Sequence, residues 1–101
     1  MKLATITALL VSLVLIAEAA QADEALAQSK GCLGCHAVDK KVLGPAYKDV
    51  AAKYAGQNVV DQLAQKVIKG GSGVWGQIPM PPNSVTPEEA KKLVQWVLSK
   101  K

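Results

Sequence analysis

The stretch Cys32-Leu33-Gly34-Cys35-His36 holds both cysteines and the only histidine of the chain. On a helical turn, positions i, i+3 and i+4 lie on one face. Two thiols and an imidazole are thereby directed to the same side. C-x-x-C-H at this spacing is the attachment sequence for c-type haem. The thiols form thioethers with one porphyrin edge, and the imidazole reaches the iron from that side. Three other chemistries compete for these residues. A redox C-x-x-C needs a partly exposed thiol in a thioredoxin-like fold, and the chain has no strand-helix-strand pattern. A structural zinc site needs four ligands, and only Cys32, Cys35 and His36 are available. A plain disulfide leaves the adjoining histidine unexplained. Haem attachment is the reading that uses all three.

The second iron ligand follows from counting. The two methionines are Met1 and Met80, and there is no second histidine. Bis-histidine ligation within the chain is excluded, and Met80 is the candidate once Met1 is removed. It lies in Ile78-Pro79-Met80-Pro81-Pro82, where flanking prolines forbid a helix or a paired strand and keep the backbone extended. A stiff loop loses little backbone entropy when its side chain binds. His36 and Met80 together are the cytochrome-type ligand pair, which raises the reduction potential. They also close both axial positions. The 17 residues from Gly70 to Thr86 contain four Gly and three Pro, and so long a loop in a small domain is usually functional.

Around these two sites the chain reads as short helices. Asp23 can cap a helix running toward Lys30. Tyr47, Val50, Ala51 and Tyr54 recur at helical spacing, with a stop at Gly56. Asn58, with Asp61 three residues on, predicts the cap of a third helix carrying Val60, Leu63, Ala64, Val67 and Ile68 on one stripe, closed at Gly70-Gly71. Thr86, Pro87 and Glu89 form a capping box before the last helix. Ala90, Leu93, Val94, Val97 and Leu98 share its apolar face, with Trp96 on the flank. Lys100 and Lys101 suit its C-terminal end. No segment alternates long enough to predict a strand.

The chain has 101 residues, half of them apolar, with four aromatics and no Phe. Lys2, the uncharged run from Leu3 to Ala17 and the small residues Ala20-Gln21-Ala22 follow the order of an export signal cleaved after Ala22. That run is short against the roughly 20 residues of a membrane span. One domain, 23–101, remains. Its thin aromatic supply predicts that something other than side chains fills the centre. The net charge is +4 and comes from Lys alone, without Arg. This argues against nucleic-acid reading, where Arg is preferred. It fits weak steering toward acidic partners.

These residues together resemble a small class I bacterial cytochrome c, of the group called cytochrome c-551 or c-552. The resemblance spans 23–101. Its carriers are Lys30-Gly31-Cys32 through His36, Val42-Leu43-Gly44-Pro45-Ala46-Tyr47-Lys48-Asp49-Val50, Gly73-Val74-Trp75-Gly76-Gln77-Ile78-Pro79-Met80-Pro81-Pro82-Asn83 and Trp96-Val97-Leu98-Ser99. The resemblance implies an all-α fold of about four short helices around one covalently attached haem c. It implies Pro45 on the His36 side, with a nearby carbonyl fixing the imidazole through Nδ1–H. It directs the Asn83 amide toward the Met80 sulfur and the Trp75 indole toward a haem propionate. Leu26 departs from it, standing where many relatives carry Phe, which bears on packing near the first helix.

The function expected is a periplasmic one-electron carrier, monomeric, with no membrane insertion after cleavage. A quinol-oxidising cytochrome complex is the kind of donor implied, and a nitrite reductase, oxidase or peroxidase the kind of acceptor. Docking would use an exposed haem edge ringed by lysines. A haem peroxidase or gas sensor is the enzyme alternative and needs an open iron position. An accessory haem subunit is the third, and no tail or large apolar surface favours it.

Overall fold

The last helix organises the rest. In the computed structural model, which describes residues 23–101, α4 spans Pro87–Leu98. It is preceded by α1 (residues 23–29), a 3-10 turn at Cys32–Gly34, α2 (Tyr47–Lys53) and α3 (Val60–Lys69). The expected export signal, 1–22, lies outside the described residues. No described helix is long and apolar enough to cross a membrane.

The start of α4 is built as the capping box predicts. Glu89 N–H donates to Thr86 Oγ1 at 3.1 Å, and Thr86 N–H donates to Glu89 Oε1 at 2.9 Å. Pro87 occupies the first turn, where its missing N–H costs nothing. Replacing Thr86 with Ala should lower unfolding stability by about 1 kcal/mol in a denaturant titration. The hydrogen bond from Thr86 N–H, with Lys30 nearby, holds the Glu89 carboxyl below its ordinary range. A lowered folded-state value stabilises above the ordinary carboxylate pKa and is lost as pH falls through the lowered one. Glu89→Gln should therefore flatten the acid limb of the stability profile.

Both core clusters use α4. Ala27 of α1 and Tyr47 of α2 meet Leu93 and Trp96. Ala64 of α3 meets Ala90 and Val94. The alanines at these crossings let helix backbones approach closely. Trp96 is more central than its flank position predicts. It is 6% exposed, because helices pack on two sides of α4 and widen the buried arc.

Two local expectations are corrected. The residue capping α3 is Val59, with no side-chain cap bond, and not Asn58. Val59 is buried, and its apolar burial outweighs the capping preference of its neighbour. Nor is Met80 barred from pairing. Met80 N–H donates to Gly71 O at 2.8 Å, and Gly71 N–H donates to Met80 O at 3.0 Å. Pro79 and Pro81 lack donors, but a single antiparallel bridge needs only the donor and acceptor of Met80 itself.

Candidate haem site

Cys32, Cys35 and His36 lie on one turn. Cys35 N–H and His36 N–H both donate to Cys32 O, at 3.2 and 3.0 Å. Gly31, at φ +77°, turns the chain into it. Both cysteines are free and half-buried. Burial is the main influence pushing the Cys32 thiol up from its ordinary value.

The chain then returns to the imidazole. Gly44 N–H donates to Cys35 O at 2.7 Å, and Tyr47 N–H donates to Ala37 O at 2.9 Å. His36 Nδ1 donates to Pro45 O at 2.8 Å. That bond fixes the tautomer and leaves Nε2 free as a ligand. Gly44 is required by proximity: a Cβ there would come within 2.5, 2.8 and 2.9 Å of Cε1, Nδ1 and Nε2 of His36. Tyr47 stacks on the imidazole, with ring centroids 4.9 Å apart. Burial, reinforced by the neighbouring Cys32 and Cys35, raises the Tyr47 phenol and keeps it protonated.

These residues open onto a cavity of about 380 Å³, a size typical of ligand sites. Cys32, Cys35, His36 and Met80 all line it. Leu63 and Val67 of α3 supply apolar wall, as do Leu93 and Val97 of α4. The α3 stripe thus divides its work, with Ala64 in the helix core and its neighbours on the cavity.

The segment carrying Met80 is fastened to α3. Gly70, at φ +74°, ends the helix, and a Cβ there would strike Met80 O. Asn83 does not line the cavity. Its Nδ2 donates to Val67 O at 2.9 Å and to Pro81 O at 3.2 Å, and its N–H also donates to Val67 O. The amide is thus used on carbonyls, anchoring the loop to the last turns of α3. Trp75 lines the cavity at 42% exposure, with Lys53 Nζ 5.7 Å from its ring. Pro45, Trp75 and Met80 therefore join the C-x-x-C-H turn around one space. Asn83 stands behind it.

Tyr47 and Gly44 are additions to the expected set. The helical stripe marked Tyr47 only as a core residue, and Gly44 stood out only within a longer motif. Adjacency to a Pro whose carbonyl reaches back to the histidine was the available signal.

The donor set suits a porphyrin. Two free thiols are spaced for thioethers, one imidazole is oriented through Nδ1, and an apolar cavity adjoins a soft thioether. Among the described residues, no group of three or more His, Cys, Asp or Glu side chains is arranged to hold a metal ion. A family model described as cytochrome c matches residues 20–101, so the chain belongs to the cytochrome c family. It is 58% identical over 92 residues to cytochrome c-552 of Hydrogenobacter thermophilus, covering 90% of this chain and 94% of that one. Against cytochrome c-551 of Pseudomonas aeruginosa it is 52% identical over the whole of both chains. The crystal structure of Nitrosomonas europaea cytochrome c552 superposes with a TM-score of 0.74 at 51% identity, covering 77% of this chain and 99% of that one. The fold is the small all-α class I cytochrome c fold, and its cofactor is a covalently attached c-type haem. Membership in this family makes the chain a haem-based electron carrier.

Proposed function

We propose that His36 and Met80 are the two axial ligands of this haem, and that the protein shuttles single electrons between respiratory redox proteins in the periplasm. The observation that carries the reading is the shared cavity. His36, its Nδ1 tied to Pro45 O, and Met80, held by its bridge to Gly71, open onto the same apolar space. The haem iron supplies the reversible Fe(II)/Fe(III) couple.

The chain's residues account for the remaining requirements. Cys32 and Cys35 tether the cofactor through thioethers. His36 Nε2 and Met80 Sδ would hold the iron from the two sides of the cavity and leave no place on it for a substrate. A thioether favours ferrous iron and raises the potential. Leu63, Val67, Leu93 and Val97 exclude water. The Trp75 indole N–H would donate to a propionate, and Asn83 ties the Met80 loop to Val67 O from behind. Removal of 1–22 on export leaves the domain 23–101.

The absorption spectrum tests the ligands. A c-type reduced spectrum with the weak ferric thioether-to-iron band supports His36/Met80. Rapid carbon monoxide binding by the ferrous protein would return the peroxidase or sensor reading. Lys41 and Lys66 lie at the cavity, and exposed lysines favour an acidic donor or acceptor, such as a nitrite reductase or oxidase. Electron-transfer rates with that partner should fall as salt rises. A rate unmoved by ionic strength would remove steering from the mechanism.

A further inference from the structure

Tyr47 has no task in the electron-carrier reading. It is the first residue of α2 and 6% exposed. Its ring lies 4.9 Å from that of His36, with the planes 21° apart, an offset-stacked geometry. Trp96 meets Tyr47 edge-on, at 5.5 Å and 77°. Trp96 is itself buried, with Lys100 Nζ 4.4 Å from its ring centroid. The three rings form a row from the imidazole into the α4 core.

The hydrogen bond to Pro45 O gives the imidazole a direction but leaves rotation about the Nδ1···O line. A ring stacked on its face removes that freedom. The Nδ1–Cε1–Nε2 side is meanwhile hard against Gly44, where no Cβ fits. Four consecutive residues, Gly44 to Tyr47, thus supply an edge stop, a hydrogen-bond acceptor and a stacking face. Their ends are tied to Cys35 O and Ala37 O on either side of His36.

We infer that Tyr47 is a positioning residue that fixes the plane of the His36 imidazole, with Trp96 as its backstop. The inference rests on His36 being an axial ligand. Its consequence is electronic. The plane of an axial imidazole selects which iron d orbitals it overlaps, and so would be one of the two ligand orientations that determine the magnetic axes of the ferric protein. The core aromatics therefore act on the iron through ring orientation, without touching the metal.

Proton NMR of the ferric holoprotein tests this, because the pattern of haem methyl hyperfine shifts follows the orientations of both axial ligands, and Tyr47 touches only the imidazole. Tyr47→Phe keeps the stacking ring and should leave the pattern as in the unmodified protein. Tyr47→Leu removes the ring and should re-order the methyl resonances while the low-spin spectrum persists. Trp96→Phe shortens the backstop and should move the pattern in the same sense by a smaller amount. It also decides the matter if Tyr47→Leu does not accumulate. An unaltered pattern in Tyr47→Leu, or in Trp96→Phe where that variant decides, overturns the inference. So does a Tyr47→Phe pattern displaced as far as that of Tyr47→Leu. A high-spin unmodified protein would instead defeat the ligand assignment, which separates the two failures.

Discussion

Met80→Ala should convert a closed, low-spin haem protein into one that binds carbon monoxide in the ferrous state and small anions or imidazole in the ferric state. The side chain lost is the only methionine of 23–101, and no second histidine exists to take its place. The potential should fall, because a soft ligand favouring Fe(II) is replaced by water. The fold should survive. Met80 is held through its backbone N–H and C=O, and both remain in Ala. Far-ultraviolet circular dichroism should be nearly unchanged while the ferric thioether band disappears. Retention of that band in the variant would assign the sulfur ligand elsewhere and overturn the role of Met80.

The second large effect concerns the thiols. Replacing both Cys32 and Cys35 with Ser should abolish covalent retention of haem and, with it, the stable fold. The buried core is short of large side chains. Among the described residues, Ala27, Ala46, Ala51, Ala64 and Ala90 make up half of the ten buried apolar residues, and no large side chain is fully buried. A domain of this size seldom obtains more than about 3–5 kcal/mol from its core alone. Leu63 and Val67 are only half-buried and face the cavity, so much of their burial depends on what fills it. A group bound only to the folded chain stabilises it by mass action, and a tether makes that contribution independent of free haem concentration. The double variant should lose most helical circular dichroism and release its pigment on acid extraction. A variant that stayed folded without bound haem would show that the side-chain core suffices.

Much of this site is legible in the sequence where chemistry is local. C-x-x-C-H occupies five consecutive residues, and the capping box of Thr86 and Glu89 occupies four. Met80 is singled out by counting, and it lines the same cavity as the C-x-x-C-H turn. What escapes is contact made across the chain. Val59 displaces Asn58 as a cap because it has a buried site to fill, which no local preference records. Met80 pairs with Gly71 across a loop whose prolines argue against pairing one residue at a time. The Asn83 amide reaches α3 because the loop folds back on it. Tyr47 reads as one member of a helical stripe, yet its ring is shared between His36 and Trp96. Local spacing shows that a side chain is apolar and facing inward, but not whether a helix or a ligand lies there.

The pairing of Gly71 with Met80 closes the intervening residues into a small ring. Gly70 and Asn83 attach that ring to α3. Loop-closure entropy, which a free strap would lose on every binding event, is here spent once during folding. Under the ligation proposed above, the Met80 thioether would be a tethered ligand at high local concentration, of millimolar order or above for a short tether. A dissolved competitor must exceed that concentration, weighted by relative affinity, before it can occupy the iron. Brief detachment of the sulfur would then end in recapture, and such a carrier would keep its coordination through repeated collisions with partners without needing a strong iron–sulfur bond.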